Sequence, residues 1–347
     1  MSQLRVALLC GLVAASGLGA LAVTIDPARV QACGGFFTKR LTAERRPSLA
    51  YEQVVIVHDA AKNREHFIRE VAFRRAQEPF GFVVPTPTRP EVDKVHPSLL
   101  KDFRIDFPFE SIARGLGIVG MGYGTGSGVG FGGRGVTVLE EKKVGSFTAF
   151  VLAADDSAAL SGWLEQHGLS TTPPGDAWLA HYVAMKFFYV AMRYDPPQHA
   201  KGEGTLAAET MRISFDTPVP YYPYLEPATP PGIVADERLL DLWVVSSAKV
   251  VPLAVRERDD ERTWIRPLRE GASHRDARTT LEGLAALEGL LPEGELVVQT
   301  FQDQKRSRAG IGDILFAPAQ QTELSADDRA ALGTMLAILD PALLEAP

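Results

Sequence analysis

Several short stretches of the chain alternate apolar and polar positions, a pattern that is typical of β-strands. Residues 51–59 are rich in β-branched side chains, and residues 65–75 resume the pattern after a short polar connection. In the second stretch Phe67, Val71 and Phe73 fall on one face of a strand, whereas the other face carries polar side chains among its apolar ones. The pattern predicts an antiparallel hairpin that belongs to a half-buried sheet.

A third apolar stretch, residues 80–84, runs directly into a group of prolines that includes Pro85, Pro87 and Pro90. Proline has no amide donor and restricts the residue before it, so we expect strand pairing to stop near Val84. The chain should then continue extended as far as a short helix predicted at residues 97–103.

Further strands and helices are predicted after residue 135. Asp156 and its neighbours offer capping oxygens to a helix that Gly168 ends, and Asp176 is placed to start another. The predicted elements are a hairpin of residues 136–141 and 146–153, a helix at 158–167, a short helix from Asp176, strands at 186–194, 211–215, 239–250, 253–256, 295–301 and 314–316, and a final helix at 326–339.

The order of these elements shows no regular alternation of strand and helix, so a doubly wound parallel sheet is not expected. We predict an α+β fold, predominantly antiparallel β-sheet with a few short helices and a Gly-rich loop. The predicted parts are a β-rich N-terminal part at residues 33–112, a Gly-rich linker or loop at residues 113–135 and an α+β part at residues 136–340. The two larger parts could also form one continuous domain.

The Gly-rich segment contains eleven glycines in residues 115–135. Residues 115–120 match the spacing GxGxxG, but the dinucleotide fingerprint also needs a strand before it and a helix after it. Neither is predicted here, and we therefore expect no cofactor.

The amino terminus predicts export. Arg5 precedes residues 6–25, which carry no charge, and the small residues Ala20 and Ala22 suit a signal peptidase. We expect a signal peptide at residues 1–22 and a protein located in the periplasm or cell envelope. The alternative is that the apolar stretch stays as a single membrane anchor.

Composition and net charge limit the classes of molecule that this protein is expected to bind. The chain has 46% hydrophobic and 23% charged residues, which is usual for a globular protein, and its formal net charge is -7. A sequence pI near 5.6 argues against nucleic acid as a partner. We expect an unidentified envelope protein or ligand, with membrane contact only if the N-terminal segment is uncleaved or Cys33 is lipidated.

Cys33 is the only cysteine after the predicted signal peptide, so no internal disulfide can form. The thiol could be a small packed side chain, a lipidation site after the poorly matching residues 30–32, or the first residue after cleavage at Ala32. It could also be a nucleophile, which would need a histidine within hydrogen-bond reach.

Two sequence motifs carry a family resemblance. The string of Cys33, Gly34, Gly35, Phe36 and Phe37, followed by residues 82–87 with Pro85 and Pro87, resembles the bacterial domain of unknown function 2330. The resemblance extends over about residues 33–230. The chain departs from the family pattern in having no cysteine after Cys33 and in having Phe82 where a tryptophan is common. The resemblance implies an exported bacterial envelope protein and gives no catalytic residue.

Candidate chemistry is sparse elsewhere. The seven histidines include no pair at zinc-ligand spacing, no GxSxG is present, and we expect neither a metal nor a catalytic site. Residues 217–231, rich in Pro and Tyr, are either a recognition surface or a rigid connector whose tyrosines cap the core, and we favour the connector.

These observations favour a non-enzymatic exported envelope protein that acts as a binding or structural module. The alternatives are an extracytoplasmic thiol-dependent hydrolase that uses Cys33 with a distant histidine, and a lipoprotein anchored at Cys33.

Overall fold

The structure is a computed structural model. It describes residues 35–38, 48–74, 79–96, 98–109, 135–194, 205–207, 210–228, 239–258, 261–303, 308 and 310–319. The predicted signal peptide, Cys33, Gly34, nearly all of the Gly-rich segment and the predicted final helix lie outside these residues. Among the helices described, none has the length and apolar character that a membrane crossing requires.

Most of the described chain is β-strand. The strands are β1 (Gly35–Thr38), β2 (Ser48–Asp59), β3 (Arg64–Arg74), β4 (Phe80–Thr86), β5 (Glu91–Lys94), β6 (Val136–Val144), β7 (Phe147–Ala154), β8 (Phe188–Tyr194), β9 (Thr205–Ala207), β10 (Met211–Asp216), β11 (Tyr221–Tyr222), β12 (Leu240–Ser246), β13 (Val250–Arg258), β14 (Glu261–Ile265), β15 (Arg269–His274), β16 (Val297–Asp303) and β17 (Ile314–Pro318).

The helices in the described residues are short. They are α1 (Ser98–Asp106), α2 (Ser157–Gln166), α3 (Pro173–Ala184) and α4 (Arg278–Glu282), with one 3₁₀ turn at Ala285–Leu287. The Asp156 carboxylate accepts the Ala159 N–H at 2.6 Å and so caps α2, as predicted. Helix α3, which was predicted to begin at Asp176, begins earlier, because Thr172 rather than Asp176 caps it.

The described strands form three sheets. A five-stranded sheet has the order β1-β4-β8-β7-β6, and a four-stranded sheet has the order β11-β17-β13-β14. An eight-stranded sheet runs β15-β16-β12-β2-β3-β10-β5, with β9 beside β3. Within these sheets β12 pairs with β2 in parallel, and the other pairs are antiparallel. The predicted fold, β-rich and predominantly antiparallel with a few short helices, is confirmed.

The hairpin of β2 and β3 forms as predicted, but its sheet is not half-buried. One face packs towards the five-stranded sheet and contributes Ile56 and Phe67 to the larger core. The other face is covered by α1, whose Phe103 joins Val55 and Ile68 in a second core. The prediction was wrong because α1 and the chain after it bury the second face as well.

Strand pairing also continues further than predicted at the prolines. Pro85 lies opposite Tyr189 and Thr86 opposite Phe188, so β4 stays paired with β8 beyond Val84. The partner on the other side, β1, ends where Gly35 meets Val83. Pro85 therefore lies where β4 has one described neighbour rather than two, a position that tolerates a missing donor.

The eight-stranded sheet mixes early and late parts of the chain. β12 lies between β2 and β16, with Leu242 opposite Val54 on one side and opposite Phe301 on the other. Residues after 226 thus complete the same sheet and the same core as residues 48–74.

Candidate functional site

The two motifs that carry the family resemblance meet as paired strands. Gly35, Phe36 and Phe37 of β1 lie opposite residues 81–83 of β4. The Phe37 ring is buried, and its centroid lies 6.5 Å from that of Trp178 in α3. Pro85 is buried within β4, and Pro87 follows directly after the strand. Cys33 and Gly34 lie outside the described residues.

Close packing explains the glycines at this pair of strands. A Cβ atom on Gly35 would lie 2.5 Å from the Phe37 ring, and one on Gly81 would lie 2.4 Å from the backbone oxygen of Met192. A larger side chain at Gly35 would displace the Phe37 ring of the same strand, and one at Gly81 would push β4 away from β8. The described motif residues lie in the paired strands β1 and β4 or, as Pro87, directly after β4.

Buried polar side chains are concentrated elsewhere, in the segment that follows β10 and contains β11. Tyr221, Tyr222 and Tyr224 of this segment are fully buried, and each hydroxyl donates to a carboxylate from a distant element. We call this set, with its partners, the tyrosine–carboxylate layer; it comprises Tyr182, Tyr221, Tyr222, Tyr224, Glu52, Glu65, Asp303 and Asp313. The burial fits the predicted connector and excludes these tyrosines as a surface for recognition.

Asp313 accepts four hydrogen bonds within the layer and its surroundings. Tyr182 donates to both of its oxygens at 2.9 Å, Tyr221 donates to Oδ2 at 2.7 Å, and the Leu225 N–H donates to Oδ1 at 2.8 Å. Burial raises the pKa of Asp313, and these hydrogen bonds lower it, with burial the larger effect. Burial and the nearby carboxylate also raise the pKa values of Tyr182 and Tyr221 well above their usual range.

Glu52 forms a buried ion pair with Arg69. The Arg69 Nε lies 2.8 Å from Glu52 Oε1, and the two side chains are 0% and 1% exposed. Tyr222 donates to the second oxygen of Glu52 at 3.2 Å. The guanidinium stacks on Phe82 of the five-stranded sheet, 4.5 Å from the ring centroid. Arg69 thus bridges two sheets.

Asp303 is the carboxylate partner of Tyr224 and also contacts Arg308. Tyr224 donates to its Oδ2 at 2.6 Å, and Arg308 Nε donates to the same oxygen at 3.1 Å. The guanidinium of Arg308 also lies 4.2 Å from the Tyr224 ring centroid and 3.4 Å from Glu226 Oε1. Burial is the largest cause that raises the pKa of Tyr224. Its hydroxyl therefore stays protonated as a donor.

Glu65 has fewer partners than the other carboxylates. Its Oε2 accepts the Tyr221 N–H at 2.7 Å, and its Oε1 has no hydrogen-bond partner within the described chain. Burial raises its pKa well above the usual value. Directly opposite on β2 lies His58, whose Nε2 is 3.0 Å from the Thr217 carbonyl and whose pKa burial lowers.

One serine–histidine pair lies on the other face of the sheet. His66 Nδ1 is 2.8 Å from the Ser214 hydroxyl across β3 and β10, and burial lowers the pKa of His66 to about 4. Ser214 is only 1% exposed, so its hydroxyl cannot meet a substrate in this structure. Within the part of the chain that the structure describes, no three His, Cys, Asp or Glu side chains are arranged to hold a metal ion.

The sequence singled out the tyrosines but not their partners. The carboxylates come from β2, β3, β16 and the turn before β17, far away along the chain. No local spacing connects them, and a single buried acid within a strand gives no sequence signal of its own. What the layer can do chemically is join elements, because its hydroxyls and most of its carboxylates already bind one another.

Comparison with known proteins identifies one family model that matches the chain and a distant likeness to a solved structure. No curated protein matches the chain. A solved structure, the crystal structure of baculovirus P35, aligns over 80% of this chain and 93% of its own, with 9% sequence identity and a TM-score of 0.34. The model of a bacterial family described as "Uncharacterized protein conserved in bacteria (DUF2330)" matches residues 27–226. This match covers more than half of the sequence and ends at Glu226, inside the tyrosine-rich segment, and by it the chain belongs to the DUF2330 family.

Proposed function

We propose that this protein works outside the cytoplasm as a non-enzymatic binding or structural module of the bacterial envelope. Support for export comes from the uncharged residues 6–25 behind Arg5 and the small residues near position 22. The family is described as conserved in bacteria, so the envelope proposed is a bacterial one. The partner is an envelope protein or ligand that the chain itself does not identify.

The observation that carries the non-enzymatic part is how the tyrosine–carboxylate layer uses its reactive groups. A general acid or base must come within hydrogen-bond reach of a substrate. Here Glu52 is engaged by Arg69 and Tyr222, while Tyr182 and Tyr221 donate to Asp313. Groups that satisfy one another inside the protein act as a scaffold, which suits a module that presents a surface.

Export is tested by fractionating bacteria that make the full chain with a C-terminal tag. We expect the protein in the periplasmic or envelope fraction, with an intact mass that lacks residues 1–22 or 1–32. A chain without residues 6–22 is the matched control and should stay in the cytoplasm. Full-length protein in the cytoplasm would overturn the proposal, and a lipid-sized mass increase at Cys33 would identify a lipoprotein instead.

The non-enzymatic role is tested at Cys33, because a thiol hydrolase needs a reactive thiolate. We expect the alkylation rate of Cys33 to follow an ordinary thiol pKa of about 8.5 and to be unchanged by replacing any single histidine with alanine. A much lower pKa that rises when one histidine is removed would favour the hydrolase. In parallel, the mature chain and its Cys33→Ser variant should capture the same envelope components.

A further inference from the structure

We propose that Glu65 and His58 form a proton-operated latch that holds residues 217–225 against the eight-stranded sheet. The pair keeps one proton while the latch is closed, and loss of that proton releases the segment. The proposal rests on the placement of these groups and is independent of where the protein is located.

The strands β2 and β3 contact both ends of the bend at residues 217–221, one end through His58 and the other through Glu65. His58 on β2 and Glu65 on β3 lie directly opposite each other. His58 Nε2 meets the Thr217 carbonyl at 3.0 Å, and Glu65 Oε2 accepts the Tyr221 N–H at 2.7 Å. Since a carbonyl can only accept, Nε2 of His58 must carry the hydrogen, and in the neutral form of the ring, which burial favours, Nδ1 is then unprotonated.

The surroundings of Glu65 favour its neutral form. The carboxyl is fully buried, forms no ion pair within the described chain, and has one oxygen without a hydrogen-bond partner there. Burying an ionised carboxylate in this way is far more costly than burying the acid. The groups that face the pair do not compensate a charge on Glu65. The nearby cation, Lys62, is bound to Asp59, and the Tyr221 hydroxyl donates to Asp313 rather than to Glu65.

Proton counting gives the pH dependence. The ordinary pKa values are 4.5 for Glu65 and 6.5 for His58; burial raises the first and lowers the second in the folded protein. Because burial raises the pKa of Glu65, its contribution to stability is present below pH 4.5 and is lost as pH rises from 4.5 through the folded pKa. Once pH exceeds 6.5, His58 is neutral in both the folded and the unfolded chain, so only Glu65 contributes a slope there, and stability falls as pH rises until the folded carboxyl ionises.

Because burial lowers the pKa of His58, its contribution to stability is present above pH 6.5 and is lost as pH falls from 6.5 through the folded pKa. Rising pH therefore destabilises the latched state through Glu65, and falling pH destabilises it through His58. As pH rises, we expect the segment around β11 to move and admit water to the carboxylate, because β11 is an edge strand paired only with β17 in the described sheets, whereas β2 and β3 are paired on both sides.

The test follows the segment with two reporters in the full chain. The amides of Tyr221 and Leu225 report by hydrogen exchange, and the Trp178 indole N–H, which donates to the Leu225 carbonyl at 2.9 Å, reports by NMR. In the wild type we expect amide protection to fall as pH rises above 6.5, by at most about tenfold per pH unit because one proton is released, together with a change in the indole resonance.

Glu65→Gln keeps an acceptor for the Tyr221 N–H and removes the ionisation, so its amide protection should be flat over the same range. Glu70→Gln is the matched control: it lies on the same strand, and its carboxylate accepts from Tyr51 and Thr210 instead. This control should keep the wild-type pH response of the segment. An equal loss of protection in the wild type and Glu65→Gln would overturn the proposal.

A second measurement covers the case in which Glu65→Gln does not fold. The unfolding equilibrium constant of the wild type, from urea titrations at successive pH values, should rise above pH 6.5. The infrared band of a protonated carboxyl should be present at neutral pH in wild-type protein. A stability that increases with pH in this range, or the absence of that band, would contradict the latch.

Discussion

The two faces of the eight-stranded sheet are buried by different chemistry. Towards the five-stranded sheet the interior holds the tyrosine–carboxylate layer, with Glu52, Glu65 and Arg69 among the aromatic side chains. Under α1 the interior is mainly aliphatic and aromatic, built from side chains such as Val55 and Phe103. One pair of strands, β2 and β3, supplies both faces.

The difference teaches how each face is specified. An apolar interior tolerates changes that conserve volume, whereas a buried polar group needs its particular partner. The layer joins strands that are remote in sequence, from Glu52 to Asp313, so it favours one arrangement of the sheets over others. The face under α1 stabilises the fold by burying apolar side chains. The face towards the layer does the same and, through its polar contacts, also fixes which strands lie against each other.

The largest expected effect is on the polar face. Arg69→Met removes the partner of Glu52 and leaves a buried carboxylate with only the Tyr222 hydroxyl, which should cost about 4 kcal/mol of unfolding free energy. Urea unfolding measures the loss. The double variant Arg69→Met with Glu52→Gln should recover at least half of it, because it leaves no unpaired charge. A double variant as unstable as the single one would contradict this account of the ion pair.

A truncation on the apolar face should cost slightly less and respond differently to pH. Phe103→Ala removes a ring that packs against Trp243 at 5.7 Å and Phe107 at 5.4 Å, for an expected loss of about 3 kcal/mol. This loss should be the same at pH 7 and pH 9, because the cause is a cavity and no proton is involved. A strong pH dependence would mean that the two faces are energetically coupled.

The effect of Tyr221→Phe should be smaller still and should depend on pH. The variant removes one donor to Asp313 and keeps those from Tyr182 and Leu225, so the expected loss is about 2 kcal/mol when the carboxylate is ionised. The folded pKa of Asp313 is above the ordinary value of 3.8, so its contribution to stability falls as pH rises through that folded pKa.

Removing the Tyr221 hydroxyl raises the pKa of Asp313 further, and the difference between variant and wild type should therefore grow from pH 4 to pH 8. Urea titrations at both pH values measure it, with Tyr194→Phe as a control whose hydroxyl lies outside the layer. A difference that shrinks with pH would show that Asp313 is not the group affected.

The sequence predicted one face of this comparison better than the other. The alternation in residues 51–75 was enough to find the hairpin, and the short helix predicted at residues 97–103 corresponds to α1, because both signals are local. The carboxylate partners of the tyrosines could not be predicted, since each pair is closed by the tertiary fold. The edge strands β5, β14 and β15 were also missed, because they are largely polar or exposed and present no apolar run.

The smallest expected effect comes from an ion pair outside both interiors. Lys142 on β6 binds Asp93 on β5 at 2.6 Å and so connects the five-stranded and eight-stranded sheets at the surface, where the side chains are 40% and 37% exposed. Water screens such a pair, so Lys142→Met should cost less than about 1 kcal/mol, and added salt should reduce the difference further. Urea unfolding at low and high salt measures both. A loss as large as that of Arg69→Met would mean that surface contacts, rather than the buried layer, hold the two sheets together.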